Sequence, residues 1–374
     1  MSKDIYCPMI HAGLSINLKK YESAPVFNQC CLNLDMMSMP IDGTSLWDSQ
    51  QLIDIRKQND ANVWNKGCWE CEQLEKAGMQ SFRQSTIKKF GISKNVSGPK
   101  RIDLLFDRSC NLACVTCSPH SSTLWSKHLK DNNLPVKLYS QSTSLDKIYE
   151  ILKSLDLSNL ETVQFCGGET LLGNTYWKAA EFIAELVPHA KEKIELGFQT
   201  NGTQTIDEKY YKTIEKFRLV KLLFSIDGTD DRFEYLRWPA SWAQVTDNMM
   251  SLREKLPVNV MFFVQEVTSC LNLLYYNEVP VWVKQNFNAN RLGDPVEHAT
   301  QLAMDDIYNV NYITQEYFDA IKDTSIKEAL GANWTENPEA IKKIISRLEL
   351  FDGIRNQNWK KTFPEVAEFY SRYI

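Results

Sequence analysis

Three cysteines crowd the stretch SCNLACVTCSP, at Cys110, Cys114 and Cys117, with small or apolar residues between them. Thiolates at CX3CX2C spacing can ligate three corners of a cubane iron–sulfur cluster and leave one iron open. An open position is what a metal centre needs in order to bind a substrate rather than only hold a fold. Zinc is the competing reading, but structural zinc takes four ligands, commonly from paired knuckles. No such pair lies near this run, although His120 or His128 would complete a four-ligand set. A second group of thiols lies upstream. GCWEC is a CX2C knuckle at Cys68 and Cys71; Cys7 and one of Cys30 and Cys31 would make four thiolates. Spacing does not choose between iron and zinc there. Cys166 and Cys270 stand alone and read as buried strand-end thiols.

The rest of the composition narrows the classes. The chain has 374 residues, 43% of them hydrophobic, and a net charge of −5, so it can bury a sizeable core. Lys and Arg are scattered, which leaves no polyanion-binding face and no nucleic-acid surface. No apolar run approaches the ~20 residues that span a bilayer. The opening MSKDIYCPMI lacks the basic head and apolar stretch of a signal peptide. A cytoplasmic, reducing setting is expected, where ten cysteines serve as metal ligands or reactive thiols rather than as disulfides.

The elements that must position these residues form a repeated alternation. Strand patterns occur at RIDLLFD (101–107), TVQFCGG (162–168), IELGFQT (194–200), LVKLLFSID (219–227) and VNVMFFVQEV (258–267), with a sixth around 290–304. Helical patterns lie between them at 145–155, 176–190, 207–217 and 244–256. Such alternation means βαβ units and a parallel sheet. The expected fold is α/β: a partial (β/α)6 TIM-like barrel over 96–305. Before it lies a small, irregular, cysteine-rich module over 1–95, with a turn at PIDGTS, a helix near 48–59 and a linker at FGISKNVSGPK (90–100). A helical extension over 306–374 follows. In such folds the chemistry sits at the carboxyl ends of the strands. The three-cysteine run follows the first barrel strand, CGGET (166–170) the second, QTNGT (199–203) the third, SIDGTDD (225–231) the fourth and QEVTS (265–269) the fifth.

With CX3CX2C after the first strand, GGE after the second and SIDG after the fourth, residues 100–300 resemble the radical S-adenosylmethionine (SAM) enzymes. The resemblance implies that Cys110, Cys114 and Cys117 hold a [4Fe–4S] cluster whose open iron is chelated by the amine and carboxylate of SAM. One electron then cleaves the sulfonium bond, and the 5′-deoxyadenosyl radical abstracts a hydrogen atom from the substrate. Gly167 and Gly168 would let the backbone approach the cofactor, and Glu169 offers an acceptor to its ammonium group. Ser225 and Asp227 are short acceptors for ribose hydroxyls. Gln199 and Asn201 would bond cofactor or substrate, although Asn-Gly is equally a turn signal. Arg237 either meets a carboxylate or forms a surface ion pair. The family often has an aromatic residue before the third cysteine; here it is Thr116.

The N-terminal cysteines, with the stretches CPMIHAGLSI, SLWDSQQLIDIRKQ and WNKGCWECEQLEKAGMQSFR, resemble the twitch and SPASM auxiliary-cluster modules of the same family. Those modules usually follow the barrel, whereas this one precedes it. The resemblance implies a second [4Fe–4S] cluster, a flavodoxin- or ferredoxin-type electron donor, and a peptide or protein side chain as substrate. A nucleotide, modified base or sugar is the alternative substrate, and a non-catalytic iron–sulfur or zinc module the alternative to an enzyme.

Overall fold

The computed structural model describes residues 4–18, 26–33, 35, 37–38, 45–76, 78, 80–136, 145–303, 307–331 and 334–374, with the backbone alone at 38, 325 and 329. The turn expected at PIDGTS falls almost wholly outside these residues. The strands are β1 (Gly13–Asn17), β2 (Val26–Asn28), β3 (Met37–Ser38), β4 (Arg101–Leu105), β5 (Thr162–Cys166), β6 (Glu195–Thr200), β7 (Leu219–Ser225), β8 (Val260–Thr268) and β9 (Glu297–Leu302). They form one sheet, ordered β3-β2-β1-β4-β5-β6-β7-β8-β9. Neighbours from β4 to β9 are all parallel, giving the six-stranded partial barrel. The N-terminal stretch extends the same sheet. β1 lies parallel to β4, with Gly13 opposite Arg101, and β2 and β3 follow antiparallel.

Period-two alternation explains how the sheet is packed. Ile102 and Leu104 on β4, Val163 and Phe165 on β5, and Leu196 and Phe198 on β6 are at most 1% exposed and join one core. Helices Leu145–Lys153, Thr175–Leu186 and Trp242–Lys255 supply its other side, through residues such as Ile148, Trp177 and Met249. Fully burying one such side chain contributes ~1.5–3 kcal/mol. The opposite face carries Arg101, Asp103, Gln164, Gln199, Lys221 and Ser225. Most parallel sheets are apolar on both faces; this one turns a polar face into the open barrel.

A second core gathers the C-terminal helices Gln315–Ala320, Pro338–Arg355 and Pro364–Phe369. Their Tyr317, Ile344, Leu348 and Val366 pack with Val115, Leu236 and Leu271, which lie beyond β4, β7 and β8. The C-terminal extension therefore rests on the rim where the cysteine loop lies. Among the described residues no helix is long and apolar enough to cross a membrane.

Candidate active site

The cysteine loop leaves β4 and is tied down at nearly every step. Ala113 N donates to Trp238 O and Val115 N to Leu236 O, both at 2.8 Å. Trp125 Nε1 donates to Cys114 O at 2.9 Å, and Ser122 Oγ donates to Leu112 O at 2.5 Å. Cys110 N donates to Thr123 Oγ1 at 3.1 Å, and Leu112 N points at Cys110 Sγ from 3.5 Å. Helix Thr123–Asp131, capped by Ser122, supplies several of these partners. Burial pushes the Cys110 thiol up to about 12, and pushes Cys114 up further. Arg237 acts on Cys114 in the opposite sense, favouring thiolate.

The GGE segment locks onto this loop. Gly168 N donates to Asp107 O at 3.0 Å and Glu169 N to Ser109 O at 2.8 Å. A Cβ on Gly168 would overlap the Ser109 carbonyl oxygen and lie 2.7 Å from the Arg108 carbonyl carbon. Gly168 is thus required by contact within the protein, whatever its part in cofactor approach. Gly167 has φ 143°, a conformation L side chains rarely adopt. Gly168→Ala is expected to cost at least ~1–3 kcal/mol, because neither backbone can give way. A denaturation midpoint matching the unaltered protein would contradict that.

Glu169 is 1% exposed and already has partners. Its Oε1 accepts from Leu171 N at 3.0 Å and Thr200 Oγ1 at 2.7 Å, and its Oε2 from Asn201 N at 2.6 Å. Burial raises its pKa, while these three donors and Arg237 lower it. The carboxylate therefore staples the end of β5 to the end of β6. Glu169→Gln places an amide NH2 where a backbone donor now points. It is expected to lower stability by ~1.5–3 kcal/mol, the worth of a charge-assisted bond, and to weaken SAM binding by about one to two powers of ten. Denaturant melts and equilibrium dialysis would read the two effects separately.

Beyond Glu169, Asn201 Nδ2 donates to Asn111 Oδ1 at 3.0 Å and lies 3.9 Å from Cys110 Sγ. Asn111 Nδ2 in turn reaches Thr203 Oγ1 at 2.8 Å. This side-chain web joins the cysteine loop to the β6 rim; Asn111 and Thr203 were not singled out by the sequence motifs. Asp227 and Arg237 form a close pair, with Nε 2.8 Å from Oδ2 but not aligned as a hydrogen bond. Arg237 is 9% exposed, so the expected surface ion pair is in fact a buried one. Asp227 Oδ1 also accepts from Val267 N at 2.9 Å. Ser225 is buried beside it, opposite Gln265 on β8, and Gln199 is half-buried on β6.

His128 is not free to complete a zinc site. Its Nε2 accepts from Arg355 Nε at 3.2 Å, and its ring sits against Trp125, Trp238 and Phe351. Cys270 is wholly buried, its carbonyl accepting from Tyr317 Oη. Cys166 is half-buried and its carbonyl accepts from Tyr176 Oη at 2.7 Å.

In the N-terminal part, Cys7, Cys30, Cys68 and Cys71 line one partly open pocket with a cavity volume of about 30 Å³. Cys31 is not in that lining; its thiol is hydrogen-bonded with Cys30 and is acted on by Asp103 and Arg101. Three segments meet at the pocket. Asn59 Oδ1 accepts from Cys7 N at 3.0 Å, and Arg83 bridges Tyr6 O and both oxygens of Glu75. Gln29 and Asn33 point amide donors at Cys68 Sγ from 3.9 and 3.7 Å. Burial pushes Cys7 up to about 12 and Cys68 to about 11. Among the described residues, no three or more His, Cys, Asp or Glu side chains are gathered as for a single metal ion.

An open βα sheet with a tethered three-thiol loop on its carboxyl rim is the class that fold and site define. Residues 104–268 match the Radical SAM superfamily model: this part of the chain is a radical SAM domain. No curated protein matches the chain. Among solved structures, native anSMEcpe with bound AdoMet is 19% identical over 69% of this chain and 62% of its own, with a TM-score of 0.39. Streptococcus suis SuiB bound to precursor peptide SuiA is 13% identical over 98% and 74%, with a TM-score of 0.38. Another crystal structure of Streptococcus suis SuiB gives 13% over 92% and 69%, with a TM-score of 0.40. This chain spans less than two thirds of the anSMEcpe length, and likenesses this faint carry no function across.

The donor set suits an iron–sulfur cluster and SAM. Three soft thiols sit on one loop, and the buried guanidinium groups of Arg108, Arg237 and Arg355 surround it. Of these, Arg237 is already paired with Asp227.

Proposed function

We propose that the chain reductively cleaves SAM at the Cys110, Cys114 and Cys117 site and takes a hydrogen atom from a peptide or protein side chain. When bound, a [4Fe–4S] cluster supplies the electron for that cleavage, which yields methionine and the 5′-deoxyadenosyl radical that abstracts the hydrogen. The observation carrying this reading is the loop itself: three thiols held by backbone bonds, stapled through Gly168 and Glu169 to the next strand end.

On this reading the thiols are the cluster ligands. Glu169, with three donors already bound, has acceptor capacity left on Oε2 for the cofactor ammonium group. Asn201 and Gln199 serve the same rim. Asp227 is held by Arg237 and Val267, so contact with ribose falls first to Ser225. Gly167 and Gly168 shape the turn beneath. The pocket of Cys7, Cys30, Cys68 and Cys71 would hold a second, fully ligated cluster, in a module of twitch type placed before the barrel. Four thiolates leave no open iron, so its part would be electron transfer or structure. A flavodoxin- or ferredoxin-type protein would supply the electrons. The peptide substrate is favoured by the likeness of this cysteine-rich part to auxiliary modules of peptide-modifying enzymes.

The test is anaerobic reconstitution with iron, sulfide and a strong reductant, scored for 5′-deoxyadenosine. Peptide libraries should raise its formation above the level without substrate. Stimulation by nucleosides or sugars alone would overturn the substrate class, and no 5′-deoxyadenosine at all would overturn the reaction.

A further inference from the structure

Arg355 ends the 18-residue helix Pro338–Arg355 and is 8% exposed. Its Nη2 donates to Ala113 O at 3.0 Å, in the cysteine loop between Cys110 and Cys114. Its Nε donates to His128 Nε2 at 3.2 Å. The guanidinium carbon lies 4.7 Å from the ring centre of Trp125, 4.7 Å from that of Trp238 and 4.8 Å from that of Phe351. No carboxylate forms an ion pair with it among the described residues. Asp352, one turn earlier, gives Oδ1 to Tyr235 Oη at 2.8 Å and Oδ2 to Trp359 N at 2.6 Å.

A buried cation without a close counter-ion is expensive. Aromatic faces recover part of that cost, but at most about 2 kcal/mol for a desolvated pair. Arg237 offers the comparison, for it faces the same loop with Asp227 beside it. Arg355 instead has no carboxylate in ion-pair contact among the described residues: Asp352 feels its charge but is bonded to Tyr235 and Trp359, and the group Arg355 touches is the backbone adjoining Cys114. A guanidinium suits this place, because its flat fork stacks between rings while donating in plane to two acceptors.

We propose that Arg355 is the standing counter-charge of the three-cysteine site, so that the C-terminal helix helps set how readily a cluster held there accepts an electron. This rests on the radical SAM reading of the loop. Three thiolates make such a cluster a net anion, and each added electron deepens the charge. A fixed cation in a low-dielectric setting then favours the reduced form. Arg355 meets the loop through the Ala113 carbonyl and not through a thiol, and is a positioning residue. It lies outside residues 104–268, so the effect comes from the extension and not from the family domain.

The experiment is an EPR-monitored redox titration of the reconstituted, full-length protein and its R355Q and R355K variants. The signal to follow is the one that changes when SAM is added. R355Q is expected to shift the ratio of reduced to oxidised cluster about tenfold toward oxidised at a given potential, which is about 59 mV for one electron. R355K, which keeps the charge, is expected to restore most of that shift. Unchanged potentials in both variants, or equal shifts in both, would overturn the proposal and leave Arg355 a packing group. If R355Q retains no iron at the loop, circular dichroism of the iron-free protein decides. A folded R355Q that cannot hold the cluster, beside an R355K that can, supports the proposal; loss of the iron-free fold overturns it. Absence of any SAM-responsive signal in the unaltered protein would instead sink the reading of the loop.

Discussion

Replacing Cys114 with Ala is expected to abolish 5′-deoxyadenosine formation and to remove about half the iron of the reconstituted protein, the share of one cubane cluster in two. Cys114 is the middle thiol of the run and 9% exposed. Its backbone is held independently of its sulfur, since Cys114 O accepts from Trp125 Nε1 and from Cys117 N. Loss of one Sγ therefore leaves the loop in place and removes only a ligand. Two remaining thiols cannot retain a cluster that must also keep an iron open for SAM. The N-terminal pocket shares no residue with this loop, so its iron should persist. Continued 5′-deoxyadenosine formation by the variant would show that the radical site lies elsewhere.

How far the sequence disclosed this arrangement depends on the range of the forces involved. β4 to β8 were legible as apolar, β-branched runs, each ending in a Gly-rich or polar motif, whereas β9 (EHATQL) is polar and mostly exposed and gave only a sixth pattern around 290–304. β1 was not, although GLSIN alternates, because its pairing partner β4 lies nearly ninety residues away. Local pattern carries no record of so distant a register. The choice between Cys30 and Cys31 was equally closed to spacing, since adjacent residues differ only in the direction they face. Glu169 was found by its motif, but two of its three protein donors, Thr200 and Asn201, come from the end of β6 and the following turn, which no motif spacing reveals. Arg355 left no signal at all. It is one cation at the end of a helix, and its meaning arises only when Ala113 and His128 are packed against it.

The second large effect tests whether the N-terminal pocket is electronic or only architectural. Replacing Cys68 and Cys71 together with Ala is expected to leave about four iron atoms per chain, the content of one cubane cluster. SAM cleavage without substrate should continue, because the pocket shares no side chain with the loop after β4. Conversion of the true substrate should fail. The double variant should fold, for the pocket is braced by Arg83 on Tyr6 and Glu75 and by Asn59 on Cys7, none of which depends on the two sulfurs. The donors at Cys68 Sγ, Gln29 and Asn33, would lose an acceptor each, a cost of ~1–3 kcal/mol if the sites stay dry. Metal content of the unaltered protein separates the two roles more sharply. About eight iron atoms fit two cubane clusters. About four, with one tightly held zinc bound by the four thiols, would make the module a structural clasp and leave the barrel site to act alone.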